Sequence, residues 1–269
     1  MTIKEITTHI EQLAPLSNAE YFDNVGLLVG NHNTNVTGVL VTLDTLEETV
    51  EEAIAKNCNL IVSFHPIIFE GLKKLNGSSY VERVVLKAIK NDIAIYATHT
   101  ALDNSEEGVS AKICEVLGLQ NAKILLPKKS IDTVSTDTTP KNIGMGMIGE
   151  FPTEMNETDF LDFVKKTMKT DCIRHSETLG KPIKTVAVLG GSGSFAIENA
   201  IALKADAYIS SDFKYHDFFK AEKQLLLADI GHYESEQFTK NLLVEYLTKK
   251  FTNFAIILSK KSTNPIYYI

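Results

Sequence analysis

The sequence predicts an α/β protein made of two pseudo-duplicated lobes with mostly parallel sheets. Three observations predict it. Short β-branched runs alternate with helical patterns, which is βαβ grammar. The alternation lapses near the middle of the chain and then resumes. Each half also ends a strand on a histidine that is followed four residues later by an acid: "IAIYATHTALD" in the first and "LLLADIGHYESE" in the second.

The elements follow in order. "MTIKEITTHIEQLAP" carries apolar residues at helical spacing and stops at Pro15, so it predicts a helix and lacks the apolar run of a signal peptide. "YFDNVGLLVGN" (21–31) sets Asp23 and Asn24 among aromatic and apolar residues, and reads either as a turn with Asx-type hydrogen bonds or as a loop that closes over a site. "GVLVTLD" (38–44) reads as a strand, "TLEETVEEAIAK" (45–56) as a helix and "NLIVSF" (59–64) as a second strand. A helix around 79–90, the strand "IAIYA" (93–97) and a helix near 106–117 complete the first half. From 121 to 143 the texture turns polar and reads as a connector. "MGMIGEF" reads as a strand and "ETDFLDFVKKTMK" (157–169) as a helix. The βαβ grammar returns over 184–212, followed by the strand "LLLAD", one long helix "YESEQFTKNLLVEYLTKK" and the strand "FAIILS". The expected organisation is a lobe over 1–125, a connector with strand and helix over 126–180, and a lobe over 181–269.

Composition narrows the function. The chain has 269 residues, room for one large or two small domains. Its net charge of −7 makes nucleic acid an unexpected partner. Cys58, Cys114 and Cys172 lie far apart with no paired spacing, which fits a reducing compartment. No apolar run approaches the ~18 residues of a membrane span, so no membrane partner and a cytoplasmic location are expected.

The residues that point to chemistry are His65, Asp103, His232 and Glu236, with His99 and His216 close by in the pattern. Imidazole and carboxylate donors suit Zn, Mn, Fe or Co. His99 with Asp103, and His232 with Glu236, stand at i and i+4, one face of a helix. In open α/β sheets a site forms beyond the carboxyl ends of strands, where these residues fall, so a site between the lobes is expected. Taken singly, His65 also reads as a half-buried, satisfied histidine, and "HYESE" as a polar helix start. Two glycine motifs compete. "GMGMIG" matches a dinucleotide pattern in letters only, because no helix follows it. "GGSGSFA" places Gly191, Gly193 and Ala196 between a strand and a helix, with Asp212 about 20 residues on. It reads as a tight βα turn, as a phosphate-holding helix start, or as a dinucleotide site.

In order, "FDNVGLLVG", "SFHPIIF", "YATHTALD", "VAVLGGSGS", "DAYISSDFKYHDF" and "DIGHYESE" resemble the GTP cyclohydrolase 1 type 2 homologues, also called Nif-three-like proteins, over nearly the whole chain. The resemblance implies a dinuclear metal site between two α/β lobes and a homohexamer arranged as a ring of dimers. It puts the metal ligands at His65, Asp103, His232 and Glu236, with one or two divalent ions per subunit. The implied activity is a metal-dependent hydrolase acting on a small molecule, a nucleotide or related heterocycle. Glu236 would be both ligand and catalytic group, and His99 and His216 would move protons near neutral pH. One position departs from the family: where it has a His-His pair before proline, this chain has Phe64-His65. That departure leaves open a second reading, a non-catalytic metal-binding regulatory or interaction ring. Ser210-Ser211-Asp212 replaces the family's "TGD", and the short polar connector marks the compact family form.

Overall fold

Strands whose side chains are buried on both faces need helices above and below the sheet, and that sets the architecture here. The computed structural model describes residues 1–128 and 142–269. Its elements are α1 (Ile3–Leu13), β1 (Gly26–Val29), β2 (Val39–Thr42), α2 (Glu47–Ala55), β3 (Leu60–Ser63), α3 (Tyr80–Lys90), β4 (Ala94–Ala97), α4 (His99–Asp103) and α5 (Val109–Leu117). They continue with β5 (Gln120–Lys128), β6 (Ile143–Met155), α6 (Glu157–Thr167), β7 (Arg174–His175), β8 (Ile183–Ser192), α7 (Ile197–Ala202), β9 (Ala207–Ser211) and β10 (Leu226–Asp229). The last three are α8 (His232–Glu236), α9 (Thr239–Lys250) and β11 (Ile256–Leu258).

The chain divides into two compact units, residues 1–102 with 239–265, and residues 103–238 with 266–269. The first contains a five-stranded sheet ordered β1-β4-β3-β2-β11. β2, β3 and β4 are buried throughout and pair in parallel, as does β11 with β2, while β1 runs antiparallel at the edge. Leu40, Ile61 and Ile95 from these strands meet Val50 and Ala53 of α2 and Val84, Val85 and Ala88 of α3 in one core. The second unit contains a six-stranded mixed sheet ordered β5-β6-β8-β9-β10-β7. Its β8, β9 and β10 are parallel, and the flanking strands are antiparallel. Ala187, Tyr208 and Leu227 of those parallel strands pack with Ile197 and Ala200 of α7.

Local chemistry explains the helix starts. Thr2 and Glu5 close a capping box on α1, and Ser79 caps α3 through the amide of Glu82 at 3.2 Å. Asn156, which heads a glycosylation-type triplet, spends its side chain capping α6 through the amide of Asp159 at 2.9 Å. No helix among the described residues is long and apolar enough to cross a membrane.

Four readings are corrected. Residues 121–128 belong to a strand, β5, whose pairing with the glycine-rich β6 no alternation in its own sequence announces; most of the expected connector, 129–141, lies outside the described residues. The stretch 21–31 holds a strand, β1, as well as a turn. The helix expected near 106–117 begins at Val109, behind Gly108. The long helix expected over 233–250 is two helices, α8 and α9. Between them, Gln237 donates its side-chain amide to the carbonyls of Met168 (2.7 Å) and Glu234 (3.3 Å).

Candidate metal centre

In the first unit, register places the residues. Thr42 pairs with Ser63 and Ser63 with Ala97, so the carboxyl ends of β2, β3 and β4 lie level. Two residues beyond each end stand Asp44, His65 and His99. Parallel strands in register thus deliver a carboxylate and two imidazoles to one edge. The backbone fixes them further. His65 donates its amide to Leu43 O at 3.0 Å, and Ser63 Oγ donates to His65 O at 2.9 Å. His99 donates its amide to Phe64 O at 2.9 Å and takes a positive φ of 26° as it opens α4. Such a φ is costly for a histidine and marks a constrained site.

Both rings are held by aspartates through Nδ1. His65 Nδ1 meets Asp44 Oδ1 at 2.8 Å, and His99 Nδ1 meets Asp23 Oδ1 at 2.8 Å. Asp23 also accepts from the amide of Thr100 at 3.0 Å and from its hydroxyl. Burial works against the Asp23 charge, but the bonds from His99 and Thr100 outweigh it and hold the carboxyl below its ordinary value. The two imidazoles stand edge to face with centroids 5.4 Å apart. Phe64 is fully buried beside them, its ring centroid 4.9 Å from that of His65 and 5.6 Å from that of His99.

In the second unit, α8 is a single turn that begins at His232 and ends at Glu236, so i,i+4 spacing puts both on one face. His232 Nε2 lies 3.2 Å from Glu236 Oε2, and His232 Nδ1 lies 2.7 Å from Asp212 Oδ2. Ser192 also donates its hydroxyl to Asp212. Burial opposes a charge on His232, yet the bonds to Asp212 and Glu236 prevail and push its pKa up to about 11. The protonated imidazole is thus favoured between these two carboxylates. Glycines make room for Glu236 and for its neighbour on the same turn, Glu234. At Gly191 (φ +71°) a Cβ would come 2.4 Å from Glu236 Oε1, and at Gly231 (φ +93°) one would come 2.2 Å from Glu234 Oε2. The "GGSGSFA" turn is therefore a packing cradle for Glu236, and Asp212 serves His232 where a ribose-binding role was the alternative. "GMGMIG" lies inside β6.

Among the expected residues, Asp103 closes α4, as the i,i+4 spacing required. His216 is exposed on a 3₁₀ turn over Tyr215–Ala221, its ring packed against Tyr215 and Phe219. Asp44, Asp23 and Asp212 as histidine supports went unseen in the sequence, because nothing in spacing ties them to their histidines. An aspartate on Nδ1 leaves Nε2 as the ring nitrogen that can ligate once it is free of its proton, the arrangement typical of metal-binding histidines. The donor chemistry therefore fits a divalent cation, with the His232–Glu236 pair as its clearest part.

Residues 1–265 match the model of the Duf34/NIF3 (NGG1p interacting factor 3) family. The chain belongs to this family. Among its curated relatives are proteins named GTP cyclohydrolase 1 type 2 homolog. The one from Clostridium perfringens is 31% identical over 272 aligned residues, and the one from Lactococcus lactis 33% over 276, each alignment covering 100% of both chains. A Bacillus cereus protein described as related to NIF3 superposes with a TM-score of 0.92 at 26% identity, covering 100% of this chain and 99% of that one. A Staphylococcus aureus protein described as hypothetical does so with a TM-score of 0.92 at 32% identity and the same coverage.

Proposed function

We propose that this NIF3-family protein is a metal-dependent hydrolase acting on a nucleotide or related heterocycle. Its ligands would be His65, Asp103, His232 and Glu236, holding one or two ions of Zn, Mn, Fe or Co per subunit. The observation that carries the reading is the shared support of the histidines: His65, His99 and His232 each give Nδ1 to an aspartate, at 2.7 or 2.8 Å. A bound divalent ion supplies Lewis acidity and activates water near neutral pH. The chain's own part is to orient the donors and manage protons. His99, with Asp23 behind it, is the first candidate for proton transfer, and exposed His216 the second. Glu236, buried beside His232, would serve as a ligand and as a base. The names of the relatives point to ring opening of GTP as the first reaction to try. A homohexamer arranged as a ring of dimers is part of the proposal.

Metal content per subunit, measured by mass spectrometry on tag-free protein and on His65→Ala, tests the binding. One or two equivalents in wild type, reduced in the variant, are expected. Wild-type protein that takes up no Zn, Mn or Fe would overturn it. Turnover of GTP or related nucleotides by metal-loaded protein, abolished in Glu236→Gln, tests the chemistry.

Phe64 favours a second reading, a metal-binding interaction protein without turnover. A fully buried phenylalanine stands where the family resemblance puts a ligand histidine. Metal uptake with no turnover across nucleotides and phosphodiesters would select this reading.

A further inference from the structure

We infer that Thr263 is a positioning residue for His65, acting through Asp44, and that the segment 259–265 thereby tunes metal affinity at His65. The inference rests on the proposed metal site.

Asp44 uses both carboxylate oxygens. Oδ1 meets His65 Nδ1 at 2.8 Å, and Oδ2 accepts the hydroxyl of Thr263, which comes from 219 residues further along the chain. The corresponding donors on the other two aspartates are built into the rigid frame. Thr100 sits inside α4 beside His99, and Ser192 ends β8. Thr263 alone of these three lies in a stretch without secondary structure, yet it is buried. The stretch is tied down just before it. Ser259 donates its amide to Val41 O at 2.8 Å and its hydroxyl to Glu52 Oε2 at 2.6 Å, and the amide of Lys260 reaches Glu52 Oε1 at 3.1 Å. Glu52 lies on α2, the helix that follows Asp44, so helix and carboxylate are gripped by one short segment.

The backbone around Asp44 is fixed as well. Its carbonyl accepts the hydroxyls of Thr42 at 2.9 Å and Thr49 at 3.3 Å. What remains adjustable is the rotation of the carboxyl group, which is broad for aspartate. A donor on Oδ2 locks that rotation with Oδ1 aimed at Nδ1. Removing the hydroxyl leaves the carboxyl free to turn, and the imidazole loses both its orientation and part of its basicity. Support of this kind typically changes metal affinity about 10- to 100-fold.

The test compares wild type, Thr263→Val and Thr263→Ser. Valine keeps the shape and removes the hydroxyl; serine keeps the hydroxyl. Zn²⁺ affinity is measured by competition with a chromogenic chelator. The His65 ring nitrogens of metal-free protein are followed by ¹⁵N NMR, with His65→Gln for assignment. Thr263→Val is expected to bind Zn²⁺ about tenfold more weakly, to show shifted His65 nitrogen resonances and to lose little metal-free melting temperature, because Asp44, unlike Asp23, stays partly solvated. Thr263→Ser is expected to restore both readouts. Unchanged affinity and unchanged resonances in Thr263→Val would overturn the inference while leaving the metal site standing. Failure of serine to rescue would also overturn it, as would a loss of melting temperature in parallel with affinity. Wild-type protein without Zn²⁺ binding would sink the parent reading and this one together, and is recognisable before any variant is made.

Discussion

His99 Nδ1 and Asp23 Oδ1 meet at 2.8 Å although 76 residues separate them in the chain. The Asp23 side chain is completely covered, and its charge is stable because His99, Thr100 and the amide of Asn24, at 2.8 Å, supply donors. Replacing it by asparagine removes a charge-assisted bond and should cost about 2 kcal/mol of stability at pH 7. The sign with pH follows from the lowered value of the carboxyl. Its contribution is present above the unfolded value of about 3.9 and disappears as pH falls through the lower folded value. Urea unfolding of wild type and Asp23→Asn should differ most near neutrality and converge toward pH 3. Curves that stay parallel down to pH 3 would contradict this account.

The His232 imidazole, squeezed between Asp212 and Glu236, should be protonated in metal-free protein across the physiological range, its pKa standing near 11. A raised value means its charge stabilises the metal-free fold below the ordinary 6.5 and that this contribution is lost as pH rises toward 11. Ligation through Nε2 requires that proton to leave. Calorimetric titration with Zn²⁺ at pH 7.5, in buffers of different ionisation enthalpy, should therefore register about one proton released by His232 per site. Asp212→Asn should reduce that release, because its bond to Nδ1 helps retain the proton. Heats independent of buffer would refute the assignment.

The strands and helices were legible because their signals are local. Continuous apolar runs such as "LIVS" and "VAVL" mark strands covered on both faces, and the i,i+4 pairs His99/Asp103 and His232/Glu236 each bracket a single helical turn. The strand-end histidines were legible for the same reason. Their supports were not. Asp44 lies 21 residues from His65 and Asp212 lies 20 from His232, distances that carry no helical or strand period. Nor was it legible that Ile256–Leu258 joins β2 in the first unit, since pairing between distant strands is a property of register and leaves no mark on either strand alone.

Gly191 is the position at which a single methyl group would test the second unit. Its φ of +71° is strained for any other residue, and an added Cβ would sit 2.4 Å from Glu236 Oε1 and 3.5 Å from His232 Cε1. Gly191→Ala should lose about 2 kcal/mol or more from strain and overpacking, and should lower Zn²⁺ affinity because Glu236 must turn away. Chemical unfolding and chelator competition measure the two effects. A variant with wild-type affinity would show that Glu236 does not need its present rotamer to bind metal.

Phe64→His returns an imidazole to the position where the family resemblance places one. The site is fully buried, so without metal the polar ring is poorly accommodated, and the metal-free variant should be about 1–3 kcal/mol less stable than wild type. Its neighbours are already arranged for a ligand, with the His65 and His99 rings 4.9 and 5.6 Å from the ring it replaces. Metal should therefore restore the lost stability, since binding to the folded state alone shifts unfolding by mass action. Metal content should rise by about one ion per subunit relative to wild type, as expected when a missing donor is supplied. Measured side by side, stoichiometry and metal-dependent melting separate two explanations of Phe64. A gain in both means that the phenylalanine suppresses a second ion, and turnover by the variant can then be compared directly with wild type. A loss of stability that metal does not repair means that position 64 faces the apolar core of this chain, and that its metal chemistry runs without a ligand there.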